Sequence, residues 1–311
     1  MKVVVAGLSV TSSWGNGHAT NYRALMRALA QRGHEVVFLE RDMPWYAAER
    51  DMPQPPWGRT HLYESVDDLG ERFAAELERG DTEYLAPELV PRFDLYLSFT
   101  GGRTLRVLEE HWGARAAHAF YCLVDPELYA PAPCERQWDL GYLGTYSDDR
   151  QPLVDELLLE PARRAPQLRF AVGGPQYPES IAWPPNVEHR EHVPPAAHPA
   201  FYCAQRFTLN VTRADMRRAG WSPSVRLFEA AACGVPVISD RWPGIEEVFL
   251  PGEEILIADC AADVLLFVER LTDAEAAAIG ARARRRVRAE HTAERRVEQL
   301  ERLVAVQGAR A

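Results

Sequence analysis

The 311 residues, 47% of them hydrophobic, exceed the ~100 to 200 typical of one domain and fit two domains with sizeable cores, or a single large α/β barrel. Lys and Arg total 35 against 45 Asp and Glu, and the net charge of −10 argues against a broad nucleic-acid or anionic-membrane surface, so phosphate binding is expected to be local. Five scattered cysteines (Cys122, Cys134, Cys203, Cys233, Cys260) without a C-x-x-C pair argue against a disulfide framework or zinc knuckle and place the chain in the reducing cytoplasm.

The run Val3 to Leu8 is too short for a signal peptide or membrane span and reads as a buried strand. A Ser/Gly/Asn-rich loop, Ser9 to His18, leads into a helix with Tyr22, Leu25, Met26 and Leu29 on its apolar face. Gly33 ends that helix, and Glu35 to Glu40 is the next strand, which completes a parallel βαβ unit. Arg41 to Trp57 reads as a long loop whose Trp45 and Trp57 form either an acceptor-site lip or a hydrophobic anchor. Val66 to Arg79 has helical spacing, with Leu69, Phe73 and Leu77 inside. Phe93 to Phe99 is read as a strand, Thr100 to Gly102 as a turn, Leu105 to Trp112 as a helix and Ala116 to Val124 as a strand.

The Pro-rich stretch Asp125 to Trp138 interrupts this alternation, and Leu140 to Gly144 restarts it. The expected organisation is therefore a first domain over 1–135, a second over 136–290, and a tail over 291–311 that breaks away near Glu290 and returns to the first domain. In the second domain, strands are expected near Arg169 to Val172, Phe207 to Val211, Val235 to Ser239 and Glu254 to Ile257. Helices are expected near Gln151 to Glu160, Pro223 to Cys233, Ala262 to Leu271 and Asp273 to Gln307. The fold class is α/β, with two doubly wound domains whose strand ends face a shared cleft.

The strongest candidate site is the loop from Arg213 to Pro223 and the helix after it. Pro223 suits a first helical position and Ser222 an N-cap, so the amides around Ser222, Ser224 and Val225 are available to phosphate oxygens. Glu229, two turns in, is placed to accept both hydroxyls of a ribose. Arg213, Arg217, Arg218 and Arg226 offer planar forks to phosphate. In the N-terminal loop, Gly15, Asn16 and Gly17 permit close ligand approach, and His18 is a candidate base. Asp125 is placed to hold an acceptor or His18, and Gly101 and Gly102 open another helix toward phosphate. The run Arg282 to Arg288, interleaved with Glu, reads as a solvated helix face.

The segment Leu227 to Asp240, with Trp242-Pro-Gly244 and Pro251-Gly-Glu-Glu254 after it, resembles the donor half of group 1 glycosyltransferases of the GT-B fold. Ser222 to Arg226 and Leu140 to Arg150 resemble the CgeB-like branch more narrowly. The resemblance implies two Rossmann-like domains, a nucleotide-diphosphate sugar as donor substrate, no cofactor, no catalytic metal and retention of configuration. The family's pair of Glu residues, with seven residues between them, is half kept: the second falls on Glu229, the first on Trp221. The family's basic residue after Gly173-Gly174 is also absent, Pro175 standing there. The expected function is metal-independent glycosyl transfer to an unknown acceptor, with a nucleotide-sugar epimerase and a non-catalytic nucleotide-sugar-binding protein as alternatives. Neither a nucleic-acid partner nor an integral membrane segment is expected.

Overall fold

A computed structural model of the chain describes residues 1–14, 17–65, 68, 72, 90–91 and 93–308. The helix expected over Val66 to Arg79 lies outside the described residues except at Asp68 and Arg72, and so do Gly15 and Asn16. Two compact units are present, one of Met1–Asp125 with Thr292–Ala311, the other of Pro126–His291.

In the first unit, β1 (Lys2–Gly7), β2 (Glu35–Arg41) and β3 (Arg59–Tyr63) form a parallel sheet in the order β1-β2-β3. Five successive buried residues, Val36 to Glu40, mark β2 as a strand covered on both faces. The fully buried Glu40 carboxylate ends that run, accepting from the Val10 and Thr11 amides (2.7 and 3.0 Å) and from Ser9 Oγ and Thr11 Oγ1 (2.9 and 2.6 Å). In this way a charge at a strand end fixes the loop that leaves β1. The helix His18–Gln31 packs Tyr22, Met26 and Leu29 into one core with Phe38 and with Ala293, Val297 and Leu300 of the last helix, Ala293–Gly308. Trp57 packs against this core and is the anchor of its loop, whereas Trp45 is exposed.

Strands β4 (Tyr96–Ser98) and β5 (Ala117–Ala119) form a separate parallel pair joined by the helix Arg103–Glu110. The strand expected over Ala116 to Val124 is thus realised only at its start. Beyond it, the Leu123 amide donates to Asn21 Oδ1 at 2.7 Å and the Val124 carbonyl accepts from the Ala293 amide at 3.1 Å, so no neighbouring strand is needed there.

The second unit holds β6 (Trp138–Leu143), β7 (Phe170–Gly173), β8 (Val187–Arg190), β9 (Gln205–Asn210), β10 (Val237–Ser239) and β11 (Leu256–Ile257), all parallel, in the order β11-β10-β9-β6-β7-β8. Every strand ends on one edge, and the winding direction reverses between β6 and β9. That reversal is where an open α/β sheet offers a ligand crevice. The helical run from Gln151 continues to Arg164 through a π-helical turn, Asp155–Leu159, just before Pro161, whose ring cannot continue the ordinary ladder. The helix Asp273–Glu290 stops at His291, and Ala293–Gly308 belongs to the first unit. Two arginines of the helix Asp273–Glu290 are used locally: Arg286 bridges Glu254 and Glu290, and Arg282 donates to the Glu253 carbonyl. Among the described residues no helix is long and apolar enough to cross a membrane.

Candidate functional site

At the β6/β9 reversal the side chain that joins the two strand ends is Arg226. It comes from the first turn of the helix Val225–Ala232, which carries the chain from β9 to β10. Its Nε donates to the Leu143 carbonyl at the end of β6, and its Nη1 donates to Asn210 Oδ1 at the end of β9 (3.0 Å) and to Ser224 Oγ (3.3 Å). The guanidinium lies 4.7 Å over the Tyr142 ring, and the residue is only 6% exposed. A cation locked by this many neutral acceptors and no carboxylate of its own in that set remains a net positive charge in a low-dielectric place.

Two more arginines share that place. Arg150, which the sequence reading did not single out, is buried and donates to the Thr145 carbonyl at 2.6 Å, while its Nε has no hydrogen-bond partner. Burial, together with the charges of Arg226 and Arg213, pushes the Arg150 guanidinium below its ordinary value, so each of the other two lies near enough to repel it. Arg213 is exposed at the end of β9, as N-cap of a short helix Ala214–Ala219 that replaces the expected loop. Close by, the Tyr142 hydroxyl is buried without a hydrogen-bond partner. Of the other candidate arginines, Arg217 faces Asp240 (Nε to Oδ2, 3.4 Å) and Arg218 pairs with Asp215 on the exposed face of that helix.

Asp240, at the end of β10, accepts from the Thr212 amide and hydroxyl through Oδ1, both at 2.9 Å, and its Oδ2 has no hydrogen-bond partner. Burial raises its carboxyl from 3.8 to about 6. A raised acid stabilises the fold fully below pH ~3.8 and loses that contribution as pH rises through about 6. The loss is of order 3 kcal/mol at ~1.4 kcal/mol per unit. Asp240→Asn keeps the Thr212 bonds and is expected to flatten the decline of stability between pH 4 and 8, leaving the variant more stable than wild type at pH 8 in urea titrations.

Gly174, after β7, has φ +145°, and a Cβ there would meet the Gly144 carbonyl oxygen at 2.1 Å. Only glycine lets the β7 turn pass so close to the β6 turn. Gly174→Ala is expected to destabilise the second unit by about 2 to 4 kcal/mol in chemical denaturation, by forcing apart the two turns that frame Arg226.

The start of the helix corrects the sequence reading. Ser224, with φ −71° and ψ 144°, is the N-cap and Val225 the first helical residue, so Pro223 and Ser222 lie before the helix. Ser224 does not cap with its side chain, because its Oγ accepts from Arg226. Ser222 is buried. Trp221 adopts φ +47°, a left-handed conformation costly for a bulky residue, held by its amide donating to the Pro243 carbonyl (2.6 Å) and its indole Nε1 donating to Glu247 Oε1 (2.7 Å). Its ring covers Gly244, where a Cβ would lie 2.4 Å from Trp221 Cδ1.

Glu229 is 3% exposed. Its Oε2 accepts from Tyr202 Oη at 3.0 Å and lies 4.0 Å from His198 Nδ1. The His198 ring contacts the Val193 carbonyl through Nε2 and Tyr129 Oη through Nδ1, both at 3.0 Å, and burial lowers its basicity. The carboxylate therefore sits one helical turn beyond Arg226, on an element braced by the helix His198–Cys203.

In the first unit, His18 opens the helix His18–Gln31 with Gly17 as its N-cap, and its ring packs against Tyr22 and Phe99 (centroids 6.0 and 5.7 Å). Asp125 Oδ1 accepts from Arg27 Nη2 at 2.6 Å. Gly102, φ +55°, caps the helix Arg103–Glu110, and Gly101 is covered by Tyr121.

Residues 150–302 match the family described as Glycosyl transferase-like. No curated protein matches the sequence. Solved structures that resemble the chain include sucrose-phosphate synthase from Thermosynechococcus elongatus, at 15% identity and TM-score 0.71, with 100% of each chain covered. HepE of Anabaena, solved in complex with UDP and glucose, aligns at 12% identity and TM-score 0.72 over 98% of this chain and 100% of its own. A glycosyltransferase from Rickettsia africae aligns at 9% identity and TM-score 0.67 over 98% of each chain. At these identities the likeness shows the fold, which is GT-B.

Proposed function

We propose that this chain, a glycosyltransferase of GT-B type, moves a sugar from a nucleoside-diphosphate donor without a metal ion and with retention of configuration. The observation that carries the reading is the meeting of Arg150, Arg213 and Arg226 at the sheet reversal, beside polar atoms of Tyr142 and Arg150 left without partners. Two buried cations, Arg150 and Arg226, with the exposed Arg213 beside Arg150, call for an anion. A diphosphate supplies it, and its oxygens give the unmade hydrogen bonds their acceptors. The same charges would stabilise the diphosphate as it leaves the sugar, which is the role a divalent cation would otherwise fill.

Glu229 is assigned to the ribose hydroxyls, and His18 and Asp125 of the first unit to the acceptor side. HepE was solved with UDP and with UDP-glucose, so uridine donors are the first to try. Retention rests on the family resemblance, and the anomer released on slow donor hydrolysis, read by NMR, tests it.

A second reading, nucleotide binding without transfer, is favoured by Trp221, which occupies the place of an expected carboxylate and ties up Glu247 instead. A panel of nucleotide sugars incubated with the protein and chelator separates the two. Release of one sugar, abolished in Arg226→Ala, supports transfer; thermal stabilisation by nucleotide with no turnover under any acceptor supports binding alone.

A further inference from the structure

A nucleoside-diphosphate sugar carries one sugar at each end of its diphosphate. With the diphosphate at Arg150 and Arg226, the ribose beside Glu229 lies on the β8 side of the sheet reversal. Glu229 Oε2 is 4.0 Å from His198, whose ring contacts the Val193 carbonyl in the segment after β8. The donor sugar then extends the other way, over the ends of β9 and β10, which lie across the reversal in the strand order. This placement rests on the diphosphate site proposed for the arginines.

At those ends the loops after β9 and β10 are pressed together. A Cβ on Gly220, φ +67°, would meet the Pro243 Cβ at 2.9 Å, and Gly244, φ +90°, lies under the Trp221 ring. Trp221 itself, φ +47°, is a bulky residue in the left-handed region, a conformation that persists only where the surroundings over-determine it and that collects at ligand sites. Its ring is half-buried, and the indole Nε1 donates at 2.7 Å to Oε1 of Glu247, an exposed residue of the short helix Ile245–Val248.

The indole bond occupies one oxygen of Glu247, and a carboxylate offers acceptor lone pairs on both. It also orders the side chain before a ligand arrives, which removes part of the entropy that an exposed carboxylate loses on binding. The neighbouring carboxylates are employed differently. Asp240 is buried against Thr212, and Glu246, exposed beside Glu247, has no hydrogen bond to its side chain among the described residues.

We propose that Glu247, held by Trp221, accepts a hydroxyl of the donor sugar, and that Trp221 is its positioning residue. Trp221 thus keeps a carboxylate at the sugar end of the site without supplying one itself.

Titration calorimetry on the full-length protein tests this with UDP, GDP and dTDP, and with UDP-glucose, UDP-galactose, UDP-N-acetylglucosamine, GDP-mannose and dTDP-glucose. The reading is the affinity for each nucleotide sugar divided by that for its bare nucleotide. In Glu247→Gln, whose amide oxygen still accepts from the indole, the bare nucleotide should bind as in wild type. The ratio for the sugar that wild type holds best should fall about tenfold. Trp221→Phe keeps a ring over Gly244 and loses the N–H donor, so the same ratio should fall by a smaller factor, about threefold. Glu246→Gln should change neither quantity. The proposal is overturned by ratios that stay at their wild-type values in Glu247→Gln for all five sugars. It is equally overturned by bare nucleotide and nucleotide sugar weakening together, the mark of a mere prop for Trp221, or by an equal fall in Glu246→Gln. Failure of wild type to bind any of the three nucleotides is a separate result: it removes the diphosphate site itself, and this proposal with it.

Discussion

Arg150→Met is expected to raise the melting temperature of the free protein while weakening UDP binding about 100-fold. The two effects have opposite signs because the residue is poorly provided for in the unliganded fold. Its buried guanidinium has the Thr145 carbonyl as its hydrogen-bond partner, an unpartnered Nε, and two other guanidiniums close enough to repel it. Replacing such a charge by an apolar side chain of similar length is worth of order 1 kcal/mol or more in stability, or ~2 to 4 °C for a domain of this size. The diphosphate, by contrast, would lose two charge-assisted hydrogen bonds, ~1.5 kcal/mol or more each.

Arg226→Met supplies the contrast. It strips donors from Leu143, Asn210 and Ser224, so it should weaken binding and lower the melting temperature together. Isothermal titration with UDP and thermal unfolding, run on both variants, check the pair. An Arg150→Met protein that melts lower and binds UDP as well as wild type would remove the case for an anion site.

Five strands of the second unit's sheet were legible because each is a short apolar run closed by glycine or a polar turn, the pattern a doubly covered parallel sheet requires, whereas the edge strand β8, Val187-Glu-His-Arg190 with only Val187 buried, was missed. Arg150 was not legible for the same kind of reason. It follows Ser147-Asp148-Asp149, which reads as a solvated loop, and only the fold shows that its side chain turns inward to the Thr145 carbonyl. In Ser222-Pro-Ser224 two serines both suit a cap, and local sequence cannot choose between them. In the structure the helix starts at Val225 with Ser224 as N-cap, and the Ser224 hydroxyl accepts from Arg226 instead of capping. The strand β3 carries Arg59-Thr-His-Leu-Tyr63, with only its last residue buried, so the apolar alternation that marks an edge strand is nearly absent. The shortened β5 has a different cause: its downstream amides find a side chain, Asn21, over a hundred positions away in sequence, which no local pattern announces.

Glu229→Gln should remove the protein's preference for ribose over deoxyribose. The carboxylate is buried, with the Tyr202 hydroxyl donating to Oε2 and a His198 ring, kept neutral by burial, 4.0 Å away. A vicinal diol presents two donors, and a carboxylate offers acceptor lone pairs on both of its oxygens. Glutamine keeps the size and can still accept from Tyr202, but its amide nitrogen faces one hydroxyl donor to donor. The mismatch costs roughly 1.5 to 3 kcal/mol, or about 10- to 100-fold in UDP affinity.

The affinity of 2′-deoxy-UDP, which offers one hydroxyl fewer, should fall much less, so the ratio of the two affinities collapses toward unity in the variant. Tyr202→Phe should weaken both nucleotides by a similar, smaller factor, because it loosens the carboxylate without changing what it can accept. A merely structural Glu229 would give the opposite pattern: both nucleotides weakened equally in Glu229→Gln, with the ratio of wild type preserved. The ratio, measured by titration calorimetry on all three proteins, is therefore the reading that separates a ribose contact from a buried brace between two helices.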